Sequence, residues 1–130
     1  MAVTVTKTPI VAFNTLATVT KNLATADTDA LAEVFTITPT KKDGKCVLTI
    51  GTLPTGTPDG NITVAIAAGT HWQGAAYSAT FTKGIAERDI QLETAKYLSA
   101  TGTIVVTLTP ASTDKLVTDH AAYMVFRQLL

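Results

Sequence analysis

The sequence has 130 residues, of which 46% are hydrophobic and 15% charged, and its ten basic side chains balance its ten acidic ones. A chain of this length and composition is expected to fold as one domain with a substantial core, and it is too apolar to be disordered. The even charge leaves no basic excess to neutralise phosphates, so neither a nucleic acid nor a membrane is expected as a partner.

Threonine makes up about a fifth of the residues. Because threonine is β-branched and restricted at χ1, this excess favours strands over helices. Cys46 is the only cysteine, which excludes an intrachain disulfide, and its apolar run 46–50 predicts a small buried side chain. The amino terminus does not have the pattern of a signal peptide, and no apolar stretch reaches the roughly 18 residues that span a bilayer.

In the first 30 residues, isolated hydrophobic side chains are spread among threonine, asparagine and lysine, and Pro9 interrupts any hydrogen-bond ladder. This pattern predicts an extended N-terminal arm over residues 1–30, followed by a sandwich domain over residues 31–130. Within the first 30 residues, the segments 3–6 and 10–20 are either edge strands or an arm that lies on another surface. The arm is apolar enough to dock on another surface and too polar to form a core by itself. The arm residues that we expect to contact a partner are Val3, Val5, Ile10, Val11 and Phe13.

After residue 33, seven segments alternate hydrophobic and polar side chains, with turn residues between them. Asp43-Gly44 predicts a tight hairpin that pairs the first two strands. The spacing is typical of an all-β antiparallel β-sandwich of the Ig-like or jelly-roll type. The last segment is apolar on both faces, so it lies either in the centre of a sheet or against a partner. The predicted strands are 34–38, 46–50, 62–66, 77–81, 88–93, 103–109 and 120–128.

Three charged residues, Glu87-Arg88-Asp89, stand at the entry of the fifth predicted strand. Paired carboxylates can serve acid–base catalysis, but charges at this position also discourage one sheet edge from pairing with another. We expect a solvated edge strand here.

The titratable residues form no catalytic or metal-binding motif. His71 and His120 are the only histidines, no serine occupies a Gly-x-Ser-x-Gly turn, and two histidines with one apolar cysteine are too few for a zinc site. An enzyme hypothesis rests only on His120 beside Asp119 and on Asp114. We therefore predict a non-enzymatic protein with no catalytic residues, no metal and no cofactor.

The most distinctive local cluster is His71-Trp72-Gln73-Gly74, in a predicted loop shortly before Tyr77. An aromatic side chain in an exposed loop is a natural anchor for a protein partner or a sugar ring. Three alternatives are open for Trp72, the only tryptophan: it covers one end of the core, it contacts a protein, or it stacks on a sugar. Trp72 and Tyr77 are therefore candidate contact residues.

Several features together resemble the virion proteins of tailed bacteriophages, and most closely their capsid decoration, or cement, proteins. The features are the arm from Ala2 to Thr28, the threonine-rich strands 34–38 and 103–109, and the strand Ala121–Phe126. The resemblance implies a structural protein of the virion, made in the host cytoplasm, which binds the outer face of a capsid and stabilises it. It also implies a homo-oligomer, with a trimer favoured, whose partner is the major capsid protein or another virion protein.

Two alternatives accompany this expectation. A carbohydrate-binding or adhesion module follows from Trp72, Tyr77 and the sandwich class. A phage tail component belongs to the same structural class as a decoration protein, and the sequence does not separate the head from the tail.

Overall fold

A computed structural model describes residues 2–5, 7–10, 19–53 and 58–129 of the chain. All seven strands that the sequence predicts after residue 33 are present as β4 to β10, and the largest shift is at β10, which begins at Tyr123. The predicted connection after β8 contains one short helix. The elements are β1 (Ala2–Val5), β2 (Lys7–Ile10), β3 (Asn22–Leu23), β4 (Glu33–Ile37), β5 (Lys45–Gly51), β6 (Ile62–Ile66), β7 (Tyr77–Phe81), β8 (Glu87–Glu93), α1 (Thr94–Tyr97), β9 (Ile104–Pro110) and β10 (Tyr123–Leu129).

The strands form two sheets that pack face to face. Sheet I has the order β1-β4-β9-β6-β7, and sheet II has the order β2-β10-β5-β8, with β3 also pairing with β10. All pairings among β4 to β10 are antiparallel, whereas β1 runs parallel to β4 and β2 runs parallel to β10. The prediction of an all-β antiparallel sandwich is confirmed.

One hydrophobic core lies between the sheets. Because side chains alternate between the two faces of a strand, every second residue of the central strands points inward. Cys46 is 2% exposed, which confirms that it is a small buried side chain. Fully buried members from both sheets are Phe35, Ile37, Leu48, Ile50, Ile62, Ile66, Ile104, Leu108, Met124 and Phe126.

β10 is a largely buried strand of sheet II. β5 pairs with one side of it, and β2 and β3 pair with the other. Met124 and Phe126 face the core, and Tyr123 and Val125 on the opposite face are also buried. β10 thus has the central position, which is the first of the two predicted alternatives.

The predicted hairpin at Asp43-Gly44 is wrong. Gly44 has the positive φ of 75° that suits a turn, but β4 belongs to sheet I and β5 to sheet II. The Asp-Gly pair thus determines the local backbone conformation but does not determine which strand pairs with β5. From β4 onward only β6 and β7 are both consecutive and paired, and every other connection passes from one sheet to the other.

Residues 22–26 are attached to the sandwich by specific contacts. The backbone N–H of Ala24 donates to the carbonyl of Ala122 at 2.8 Å, and the side chains of Ala24 and Ala26 are buried in the core. The buried Glu33 carboxylate accepts hydrogen bonds from the N–H groups of Thr25 and Ala26 at 2.7 and 3.0 Å. The sequence did not indicate these contacts, and the division of the chain at residue 30 stays a prediction.

Candidate interaction surface

The loop of residues 67–76, here called the Trp72 loop, joins β6 to β7 and is held at its base. The N–H of Gly69 donates to the carbonyl of Lys96 at 3.0 Å, and the N–H of Thr70 donates to the carbonyl of Leu98 at 2.9 Å. A Cβ atom at position 69 would lie 2.6 Å from the Leu98 carbonyl oxygen, so only glycine permits this approach. The loop is therefore fixed to α1 and to the residue that follows it.

The tip of the Trp72 loop is a tight turn that presents the indole to solvent. The N–H of Gly74 donates to the carbonyl of His71 at 2.7 Å, and the N–H of Gln73 donates to His71 Nδ1 at 3.1 Å. The Trp72 side chain is 84% exposed, and its ring centroid lies 5.8 Å from that of His71. This exposure excludes the alternative in which Trp72 covers the core, and it leaves the two contact alternatives open.

A polar hollow of about 320 Å³ adjoins the Trp72 loop on the His71 side. The hydroxyl of Ser99 lies 2.9 Å from the hydroxyls of both Thr101 and Thr103, which makes a small hydroxyl cluster beside this hollow. Hydroxyl groups can both donate and accept, so the hollow can receive polar groups of either kind. Its lining residues are Lys42, Thr70, His71, Ala95, Leu98, Ser99, Ala100 and Gly102.

The candidate contact residues lie on two different sides of the sandwich. Trp72 and Tyr77 share the β6–β7 hairpin, and Tyr77 is 38% exposed at the start of β7. Val3 and Val5 lie in β1, at the opposite edge of sheet I, and Ile10 lies in β2 at the edge of sheet II. The predicted contacts at Val11 and Phe13 lie outside the described residues.

Asp114 and His120, on which the enzyme hypothesis rested, form a buried pair. Asp114 Oδ2 lies 2.9 Å from His120 Nε2, and each side chain is 1% exposed. The Asp114 carboxylate also accepts hydrogen bonds from the N–H groups of Asp59 and Gly60 at 3.0 and 2.9 Å. Burial alone would raise the pKa of Asp114, but these backbone hydrogen bonds, with the hydrogen bond and charge of His120, hold the pKa below its ordinary value.

The contacts around His120 hold loops together. Its Nδ1 atom has no hydrogen-bond partner in the described part of the chain, so neither imidazole nitrogen there holds a hydroxyl or thiol ready for activation. Thr52 lines a hollow of about 200 Å³ beside His120, but its hydroxyl donates to the carbonyl of Ile85 at 3.0 Å. Asp119 accepts from the N–H of Lys115 at 2.6 Å and so stabilises its own loop.

Sequence reasoning missed a tyrosine that crosses the outer face of sheet II. The ring of Tyr123 lies over Gly51 of the neighbouring strand, where a Cβ atom would be 2.2 Å from the ring. Its hydroxyl donates to the Glu87 carboxylate on β8. Burial, together with the hydrogen bond and negative charge of Glu87, raises the pKa of Tyr123 to about 12. A glycine at the end of an apolar strand was the available signal, since it often marks a close approach.

The comparisons with known proteins do not place the chain in a family. No protein-family model matches the sequence, and no curated protein is significantly similar to it. Among the described residues, no helix has the length and apolar character needed to cross a membrane. In the same part of the chain, histidine, cysteine and acidic side chains form no group of three that could hold a metal ion.

Proposed function

We propose that this chain is a non-enzymatic structural protein of a bacteriophage virion, which decorates and stabilises the capsid through protein–protein contacts. The observation that supports this most is Trp72, which is 84% exposed at the tip of a loop whose base is fixed by backbone hydrogen bonds. Because the backbone of this loop is already fixed, little backbone entropy is lost when a partner covers the aromatic side chain. The proposed partner is the major capsid protein or another virion protein.

Contacts on two sides of the sandwich suit this role. The β6–β7 hairpin with Trp72 and the strand β1 with Val3 and Val5 lie at opposite edges of sheet I. A protein that binds through two separate surfaces can bridge neighbouring subunits, and each modest contact then strengthens the other. We propose a homo-oligomer in the particle, with a trimer favoured, located in the virion after synthesis in the host cytoplasm.

The proposal is tested on particles purified from the cells that produce the protein. Mass spectrometry of the particle fractions from a density gradient is expected to find peptides of this chain. Particles stripped of the protein are then incubated with the wild type, with Trp72→Ala, or with Leu53→Ala, which removes an exposed apolar side chain elsewhere. We expect Trp72→Ala to weaken binding about tenfold or more, as the loss of an interface anchor does, and Leu53→Ala to bind like the wild type.

Two results would count against this proposal. One is that no peptide of the chain sediments with any particle. The other is that Trp72→Ala binds stripped particles as tightly as the wild type. A density map of the loaded particle would separate decoration of the head from a place in the tail.

A second candidate function is a carbohydrate-binding or adhesion module. It is supported by the polar hollow next to His71, which offers the Ser99 hydroxyl within reach of an exposed aromatic pair. Sugar-binding sites combine an aromatic face with polar groups that can both donate and accept. On a glycan array, this function requires binding by the wild type that Trp72→Ala abolishes, and it fails if the wild type binds no glycan.

A further inference from the structure

β7 is an edge strand with a free side. Among the described strands it pairs only with β6, and it is the last strand of sheet I. The backbone N–H and C=O groups on the free side of such a strand are a template for pairing with another strand. β8 is the last strand of sheet II, and it lies on the same side of the sandwich, because residues of β7 and β8 line one cleft.

The two edge strands differ in how they are protected from pairing. β8 carries Glu87, Arg88, Asp89 and Glu93, and Arg88 points toward the gap between the sheets. Outward charges and an inward-pointing charge are the usual devices that keep a sheet edge from pairing. β7 has the sequence Tyr-Ser-Ala-Thr-Phe and contains no charge, no proline and no glycine. The β7 edge of sheet I is thus open to pairing, and the β8 edge of sheet II is protected from it.

The side of the sandwich between β7 and β8 is incompletely closed. A cleft of about 220 Å³ lies there, and the inward-facing Tyr77 at its mouth is 38% exposed. Ala79 and Ile90, which also face inward, are only partly buried. The apolar residues of this cleft are Ile50, Val64, Tyr77, Ala79, Phe81 and Ile90.

The sequence of β7 is symmetric by chemical class about its central residue. An aromatic residue stands at each end, a hydroxyl residue comes next from either side, and Ala79 is at the middle. If two such strands run antiparallel with Ala79 opposite Ala79, then Tyr77 faces Phe81 of the other copy, and Ser78 faces its Thr80. Aromatic pairs and serine–threonine pairs are among the favoured cross-strand pairs.

We infer that β7 pairs antiparallel with β7 of a second copy of this chain, about a twofold axis at Ala79. The pairing joins two copies of sheet I into one continuous sheet. It places Tyr77 of each copy against Phe81 of the other, on the face that looks into the cleft. The symmetric sequence favours a second copy over an unrelated strand, because a twofold interface requires a self-complementary surface. The inference concerns the free protein in solution and does not depend on the proposed virion function, and for the free protein it expects a twofold dimer in place of the trimer favoured in the particle.

The first test measures association by sedimentation equilibrium over a range of protein concentrations. The wild type is expected to form a dimer. The variant S78K/T80K places like charges directly opposite each other across the axis, so it is expected to sediment as a monomer. The variant S78E/T80K places opposite charges there instead, and it is expected to keep the dimer. Both variants change the same two exposed positions, and thermal unfolding followed by circular dichroism checks that both are folded.

The second test fixes the register by disulfide cross-linking. Directly opposed residues have Cβ atoms about 4.5–5.5 Å apart, which small backbone shifts bring into disulfide range, whereas diagonal neighbours are farther away. Under mild oxidation, Ala79→Cys is expected to cross-link two copies and Ser78→Cys alone is not. A mixture of the Ser78→Cys and Thr80→Cys variants is expected to cross-link. The native Cys46 is buried and contributes no background.

Four results would overturn the inference. The wild type sediments as a monomer at every concentration, or it forms a trimer or larger oligomer that S78K/T80K does not affect. S78K/T80K and S78E/T80K associate equally. Ser78→Cys cross-links more readily than Ala79→Cys, which would place the axis elsewhere on the strand.

Discussion

Asp114 connects two loops through one carboxylate. It binds the N–H groups of Asp59 and Gly60 on one side and His120 on the other, and it is 1% exposed. Asp114→Asn removes the negative charge from this buried pair, and we expect it to lower the free energy of unfolding at neutral pH by about 2–4 kcal/mol. Urea unfolding measures this loss. Asp29→Asn, at an exposed position, is expected to leave the stability unchanged.

The same carboxylate should make the stability fall in acid. The pKa of Asp114 is lowered in the folded chain, so its ionised form contributes stability above the unfolded pKa of about 3.9. That contribution is lost as the pH falls through the lower, folded pKa. Urea unfolding measured from about pH 6 down to about pH 2, a range that spans the unfolded pKa and extends below it, is expected to show a steeper loss for the wild type than for Asp114→Asn. Parallel curves for the two proteins would contradict this role of Asp114.

Tyr123 is expected to ionise at a higher pH than an ordinary tyrosine, and its ionisation is coupled to folding. Its pKa is raised to about 12, so the neutral phenol contributes stability below the unfolded pKa of about 10, and that contribution is lost as the pH rises through the folded value. In an ultraviolet titration, Tyr123→Phe is expected to remove the tyrosinate absorbance step near pH 12. It is also expected to cost about 1 kcal/mol, because Glu87 loses its donor. A titration unchanged by the substitution would contradict the Tyr123–Glu87 bond.

At the scale of elements, Glu33 at the start of β4 holds residues 22–26 against the sandwich. Its buried carboxylate binds the N–H groups of Thr25 and Ala26. We expect Glu33→Ala to speed hydrogen exchange of the Ala24 and Ala26 amides at least about tenfold, because the segment opens without unfolding the sandwich. Nuclear magnetic resonance measures each amide. Core amides of β9 should change less, and equal acceleration at both places would instead indicate global destabilisation.

A matched variant separates the hydrogen bonds of Glu33 from the general effect of losing an acidic residue. Asp43 is also acidic, and it is exposed. Asp43→Ala is expected to leave exchange at Ala24 and Ala26 unchanged. Acceleration of these amides in Asp43→Ala as well would contradict a specific role for the Glu33 carboxylate.

Strands could be predicted from the sequence, but their partners could not. Alternation in β4, β6 and β9 is a local signal, because each strand buries one face by itself. The choice of partner depends on distant segments, and this is why the Asp43-Gly44 turn led to the wrong pairing. The sequence also did not predict the contacts of Glu33 or the Asp114–His120 pair. These contacts join residues that become neighbours only when the loops are packed.

At the scale of the whole molecule, the described contacts leave the Trp72 loop as the most accessible aromatic feature. The sequence identified Trp72 as a candidate contact but could not tell an exposed side chain from a core cover. That distinction depends on where Gly69 and Thr70 attach, and their partners Lys96 and Leu98 lie more than twenty residues farther along the chain. The exposure of Trp72 removes the core-cover alternative, and contact with a protein or a sugar stays a prediction.

The claim that the Trp72 loop contacts the particle is tested most directly by quenching of tryptophan fluorescence with iodide. Trp72 is the only tryptophan in the chain, so the signal reports on this loop alone. In the free protein, an indole that is 84% exposed should be quenched strongly. When the protein is bound to particles whose own tryptophan signal has been silenced with a non-fluorescent analogue, we expect Trp72 to be shielded from iodide. Equal quenching in the free and particle-bound states would contradict the claim that this loop is the contact through which the protein acts.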